Sequence, residues 1–156
     1  MTTAPELTNA GTLTSAEYLA DRVRKAYHTL GNENLDDVES LYSEDIYFED
    51  PSHAIQGKSS LLKYFAKMFK NLKNCEFKFH KTITNGTDIF MSWTMFLNHP
   101  RLNKGQVIRV EGASYLRTRN GKIYYHRDYF DMGAMVYENL PLLGRIVLRI
   151  KQRLGQ

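Results

Sequence analysis

The hydrophobic period switches from helical to alternating between Leu72 and Cys75, and that switch limits the folds open to this chain. In the long helical segments before it, apolar residues recur every three or four positions; in the four segments that follow it, every second position or nearly throughout. "TSAEYLADRVRKAYHTL" reads as a helix, with Thr14 and Glu17 at capping-box spacing and Leu19, Val23, Tyr27 and Leu30 along one stripe. "GNEN" breaks it. "LDDVESLYSED" reads as a short second helix with Leu35, Val38, Leu41 and Tyr42 inward. "IYFEDP" reads as a strand stopped by Pro51, because a residue before proline is pushed to extended geometry. "GKSSLLKYFAKMFKNL" is a third helix, its wide apolar face made of Leu61, Leu62, Phe65, Met68, Phe69 and Leu72.

After the change, "CEFKFHKTITN" alternates, Asn85-Gly86 marks a hairpin turn, and "DIFMSWTMFLN" is apolar almost throughout, as for a strand covered on both faces. "QVIRVEGASYLRT" and "KIYYHRDYFD" are two further strands joined at Arg119-Asn120-Gly121. A final amphipathic helix, or two with a break near Pro141, covers about Gly133 to Leu154. Helices first and hairpins afterwards point to an α+β fold: a cone-shaped, curved antiparallel (mixed) sheet packed on N-terminal helices and enclosing a pocket. Such a pocket is the default place for a small ligand.

The expected organisation is a disordered lead-in over 1–13 and one domain over 14–156, including a basic C-terminal helix over 141–154. No run of about 18 apolar residues could cross a membrane as a helix. The single cysteine, Cys75, excludes an internal disulfide framework and a cysteine-based metal site, and fits a reducing, cytoplasmic setting. His28, His53, His80, His99 and His126 lie in different elements without metal-ligand spacing, so neither a metal nor a cofactor is expected. The net charge of +4 equals the four cations of the last sixteen residues, Arg145, Arg149, Lys151 and Arg153. The rest of the chain is balanced, unlike a nucleic-acid binder with its charge spread over a face.

Candidate chemistry sits in two strands. In "HRDYFDM", alternation puts Tyr124, His126, Asp128 and Phe130 on one face and Tyr125, Arg127 and Tyr129 on the other. His126 and Asp128 could then bracket a small ligand. In "IYFEDP", Asp50 ends a row begun by Ile46 and Phe48; a carboxylate among apolar walls is a candidate general base, and a turn cap at Pro51-Ser52 is its simpler role. Tyr27, on the apolar stripe of the first helix, needs a hydrogen-bond partner if buried. Phe48, Phe65, Trp93, Tyr124 and Phe130 are the expected pocket walls, with Glu111 as a further candidate contact. For Arg109 and Glu111 an ion pair is the simpler reading.

The stretch "LYSEDIYFEDPSHAIQGKSSLLKYF" resembles the first half of the nuclear transport factor 2-like superfamily, and "VEGASYLRTRNGKIYYHRDYFD" resembles the closing hairpin of its SnoaL-like branch. The resemblance implies a cone with a deep pocket and a homodimer built through the sheet. Set beside the ketosteroid isomerases, Asp50 matches the general base and Tyr27 an oxyanion donor, while Ala113 stands where the second donor would be. Set beside the limonene epoxide hydrolases, Asp128 matches a catalytic acid, but Ser92, Trp93, Thr94 and Met95 offer no Arg-x-Asp pair. SnoaL-like cyclases also use a pocket Asp, which Asp128 matches most closely.

Two functions remain open at this point. One is a cofactor-independent acid–base enzyme (isomerase, cyclase or dehydratase type) acting on a small, apolar, carbonyl-bearing compound through Asp50, Asp128, Tyr27 and His126. The other is a non-catalytic small-molecule-binding or dimerisation module. In the tail, Arg145, Arg149 and Arg153 form a basic stripe beside Leu143, Ile146, Val147, Ile150 and Leu154. Docking of this helix on the domain is the favoured reading; contact with a membrane surface is the alternative.

Overall fold

The computed structural model describes residues 14–154; the lead-in expected over 1–13 lies outside the described residues. Thr14 caps α1 (Ser15–Tyr27): its hydroxyl accepts from the Glu17 amide at 3.2 Å, and the Glu17 carboxylate accepts from the Thr14 amide at 2.8 Å. Leu19, Val23 and Tyr27 are buried along one side, with Ala16, Ala20 and Ala26 letting the helix approach the sheet closely. The next helix, α2 (Leu35–Glu39), is shorter than its pattern suggests. Tyr42 starts a strand instead, because the Ile123 amide donates to the Leu41 carbonyl at 2.9 Å and draws the chain into the sheet.

The sheet has six strands: β1 (Tyr42–Glu49), β2 (Ala54–Gln56), β3 (Asn74–Asn85), β4 (Asp88–Asn98), β5 (Val107–Arg119) and β6 (Lys122–Phe130). Their order is β2-β1-β6-β5-β4-β3. The β1–β6 pair is parallel and the others are antiparallel, so the sheet is mixed, curved and not closed. Helix α3 (Lys58–Lys70) packs on β1, and α1 lies across β3 and β4. The α+β fold is thus a curved sheet wrapped around two long helices.

Two irregularities change side-chain phase. In β3 the register shifts between Phe79 and Thr82, so Ile83 turns outward beside Phe90. In β6 Ile123 pairs with Thr118 and Tyr125 with Arg117, leaving Tyr124 as a bulge residue. The apolar run of β4 is not covered on both faces by this chain. Ile89, Met91, Trp93, Met95 and Leu97 are buried inside, whereas Phe90, on the outer face, is 41% exposed.

The core also needs one missing side chain. The indole of Trp93 lies flat against Gly112 on the neighbouring strand, and a β-carbon there would meet the ring at 2.2 Å. After β6 come α4 (Met132–Met135), a single tight helical turn at Tyr137–Asn139, and α5 (Leu143–Leu154), with the break near Pro141. Among the described residues no helix is long and apolar enough to cross a membrane. Gly112→Ala is expected to lower stability by about 1–3 kcal/mol through overpacking, read as a reduced urea midpoint. An unchanged midpoint would mean that the indole has room to move.

Candidate active site

Between the helices and the concave face of the sheet lies a cavity of about 520 Å³. Its wall is largely apolar: Phe48, Phe65, Phe77, Trp93, Met95 and Phe130 contribute, and Met132, Met135 and Val136 line it from the segment after β6. Tyr27, Asp50, Tyr64 and Asp128 supply polar groups to it, with Ser52 and His53 near Asp50 and Lys67 and Asn71 from the end of α3.

One continuous hydrogen-bonded chain crosses this interior. Trp93 Nε1 donates to Ser114 Oγ at 2.9 Å, and Ser114 Oγ donates to Asp128 Oδ1 at 2.5 Å. His126 Nε2 lies 2.8 Å from that same oxygen. On its other side, His126 Nδ1 lies 2.8 Å from the Tyr42 hydroxyl, which in turn bonds the Tyr27 hydroxyl. Strand pairing explains the alignment: Ser114 sits opposite Asp128, Leu116 opposite His126, and Phe48 of β1 beside His126. His126 is buried, with the Phe48 ring edge-on at 4.9 Å and the Tyr42 ring stacked at 5.9 Å.

Asp128 Oδ1 therefore has two partners, whereas no hydrogen bond to Oδ2 occurs among the described residues. Asp50 is arranged differently. Its Oδ1 accepts from the Ser52 amide at 2.7 Å and the His53 amide at 2.8 Å, and its Oδ2 accepts from the Tyr64 hydroxyl at 2.6 Å. This is the turn cap that Asp-Pro-Ser sequences favour. It ties the end of β1 to α3 while leaving the carboxylate in the cavity wall.

The family can now be read from the sequence as well as the fold. The SnoaL-like domain profile matches residues 23–126, two thirds of the chain. The chain belongs to the SnoaL-like domain family. No curated protein matches it. Among solved structures, a protein with a ketosteroid isomerase-like fold from Catenulispora acidiphila DSM 44928, in complex with trimethylamine, superposes with a TM-score of 0.68 at 18% identity, over 79% of this chain and 93% of that one. An NTF2-like protein of unknown function from Burkholderia pseudomallei K96243 gives 0.70 at 14% identity, over 80% and 96% of the two chains. An LEH-like epoxide hydrolase from M. tuberculosis gives 0.65 at 22% identity, over 88% and 96%. At these identities the likeness carries the fold alone.

The SnoaL-like fold brings Tyr27, His126 and Asp128 into one network and sets Asp50 in the same wall, joined there by Phe48, Phe65, Trp93 and Phe130. Glu111 and Tyr124 do not join them. Glu111 is exposed on the outer face, paired with Arg109 and accepting from Thr94 Oγ1 at 3.0 Å. The bulge turns Tyr124 outward, where Arg119 lies 4.8 Å and Arg117 5.5 Å from its ring centre. Tyr42, Ser114 and Tyr64 were not legible as site residues. Ser114 alternates with Gly112 and Leu116, the inward row of β5, and that parity was the one available signal.

Burial pushes the phenols of Tyr27, Tyr42 and Tyr64 up, reinforced for Tyr27 by nearby Tyr42 and Asp128, and for Tyr64 by its bond to Asp50. The unfolded chain would release these protons near the ordinary tyrosine value of about 10 while the folded chain keeps them. Their stabilising contribution is therefore complete below pH about 10 and is lost as pH rises above it. Urea midpoints should fall above that pH, and Tyr42→Phe should make the fall shallower. An equally steep fall in the variant would show that these phenols are not the cause.

Proposed function

We propose that this SnoaL-like protein is a cofactor-independent acid–base enzyme acting on a small, largely apolar, carbonyl-bearing compound, as an isomerase, cyclase or dehydratase. The observation that carries the reading is the asymmetry of Asp128: Oδ1 is held by Ser114 and His126, and Oδ2 has no partner among the described residues. An oriented carboxylate with one available oxygen is the form a general base takes. Asp128 Oδ2 removes a proton from the carbon next to the carbonyl. The C–H electron pair moves into the new C=C bond, and the carbonyl electrons move to oxygen. Tyr27, also in the wall, faces that oxygen, and the proton returns from Asp128 to another carbon or to a leaving hydroxyl.

The hydrogen-bonded chain suits both halves of this cycle. With Asp128 ionised and the His126 hydrogen on Nε2, donation runs from Tyr27 through Tyr42 and His126 to Asp128. With the abstracted proton on Oδ2, Oδ1 keeps accepting from Ser114 and His126, so the carboxyl holds its orientation for the return of the proton, and the Tyr27 hydrogen turns from Tyr42 to the enolate oxygen. Asp50 holds the turn and the cavity wall in this reading, and Phe48, Phe65, Trp93 and Phe130 take the apolar body of the substrate. A homodimer would use the outer sheet face, where Ile83 and Phe90 are exposed.

A second reading, a non-catalytic binding module, is favoured by the full engagement of Asp50, which leaves a single free carboxylate oxygen in the wall. Exchange of the α-hydrogens of cyclohexanone and acetophenone into heavy water, followed by proton NMR, separates the two. The enzyme reading expects accelerated exchange, lowered about 10²–10⁴-fold by Asp128→Asn. Asp50→Asn is expected to act mainly on stability, by about 1–3 kcal/mol. Ketones that bind, seen by line broadening, but exchange no faster than in buffer would establish the binding module instead.

A further inference from the structure

The last helix is fastened by the wrong side for a docked amphipathic helix. Gly144 is buried against the Glu138 backbone, and Lys151 donates to Asp131 Oδ2 at 2.7 Å and to Glu138. At 100° per residue, Gly144 and Lys151 lie on one flank of α5. The apolar stripe of Leu143, Ile146, Val147, Ile150 and Leu154 points about a quarter turn away. Ile146 is 52% exposed, Ile150 54% and Leu154 81%. Arg145, Arg149 and Arg153 are exposed on the far flank and pair with no carboxylate among the described residues. The favoured expectation of a helix docked through its apolar side is thus not what the fold presents.

We propose that α5 lies in the surface of an anionic membrane, its apolar stripe in the headgroup boundary and its three arginines on the lipid phosphates. The charge pattern selects this occupant. An in-plane helix with cations beside an apolar face matches an anionic interface. A second copy seated on the same stripe would bring two arginine rows together with no acid to answer them. At twelve residues, about 18 Å long, the helix can lie on a bilayer but not span it. Asp131 and Glu138 hold α5 to the segment whose Met132, Met135 and Val136 line the cavity, so a seated helix brings that wall to the interface. The Lys151 clamp fixes the angle between them.

Co-sedimentation of the full chain with vesicles tests this, using phosphatidylglycerol and phosphatidylcholine in equal parts against phosphatidylcholine alone. Binding should require the anionic lipid and fall with added salt. Arg145→Glu with Arg149→Glu should weaken it by about tenfold or more. Ile146→Ser with Ile150→Ser should weaken it at unchanged charge, whereas Lys78→Glu with Lys81→Glu, the same charge change on the sheet, should leave it intact. Failure of the parent chain to bind, or equal losses in the two charge-reversed variants, would overturn the proposal. So would a light-scattering result in which the isoleucine variant turns a dimer into a monomer without any vesicle binding, since a second copy would then occupy the stripe.

Discussion

An imidazole buried among aromatic rings must have both nitrogens bonded, and His126 obtains its two partners only if two strands agree, with one helix behind them. Asp128 comes from two residues further along β6, Tyr42 from the start of β1, and Tyr27, which completes the line, from the end of α1. An unpaired polar group in such a place costs about 1–3 kcal/mol, so the network penalises any shift of register between β1 and β6. The parallel pairing of those strands, unusual in a sheet otherwise built of antiparallel neighbours, is what sets Phe48 and Tyr42 against the ring. The polar line thereby fixes the mutual position of the elements that enclose the cavity.

The surrounding wall has the opposite character. Phe65 packs edge-on to Phe48 at 5.6 Å, and Trp93 edge-on to Phe77 at 5.0 Å, giving a stiff aromatic lining around a few oriented oxygens. Low polarity around a carboxylate strengthens every electrostatic contact made in the site. The two cavity carboxylates differ in how their oxygens are engaged. Asp50 is saturated by two amides and a phenol, while Asp128 keeps one oxygen clear.

The fold was largely legible because its signals are periodic. The α1 capping box, the wide apolar face of α3, the Asn85-Gly86 turn and the four long strands all follow from spacing. The site was legible only in part. Asp128 and His126 follow from alternation, but Tyr42 was hidden by a helical pattern that parallel pairing overrides, and Ser114 looks like any small strand residue. Tyr124 and Glu111 fell on the outer face for different reasons: strict alternation cannot foresee a bulge, and Glu111 has an arginine two residues away on the same strand. Short β2 carries too few residues to show any period. The direction of the apolar stripe of α5 depends on which flank the clamp at Lys151 grips, and no local pattern states that.

The bulge at Tyr124 has a larger effect than its size suggests. With strict alternation onward from Ile123, the inward row of β6 would be Tyr125, Arg127 and Tyr129, and the interior would hold a cation between two phenols. One additional residue exchanges that row for His126, Asp128 and Phe130. The bulge is thus a parity switch in the backbone: deletion of Tyr124 would take out the switch and the extra residue together and leave His126 and Asp128 facing inward, whereas a single-codon insertion beside it would turn the chemistry of the strand inside out, exchanging a carboxylate for a cation without altering any residue already there.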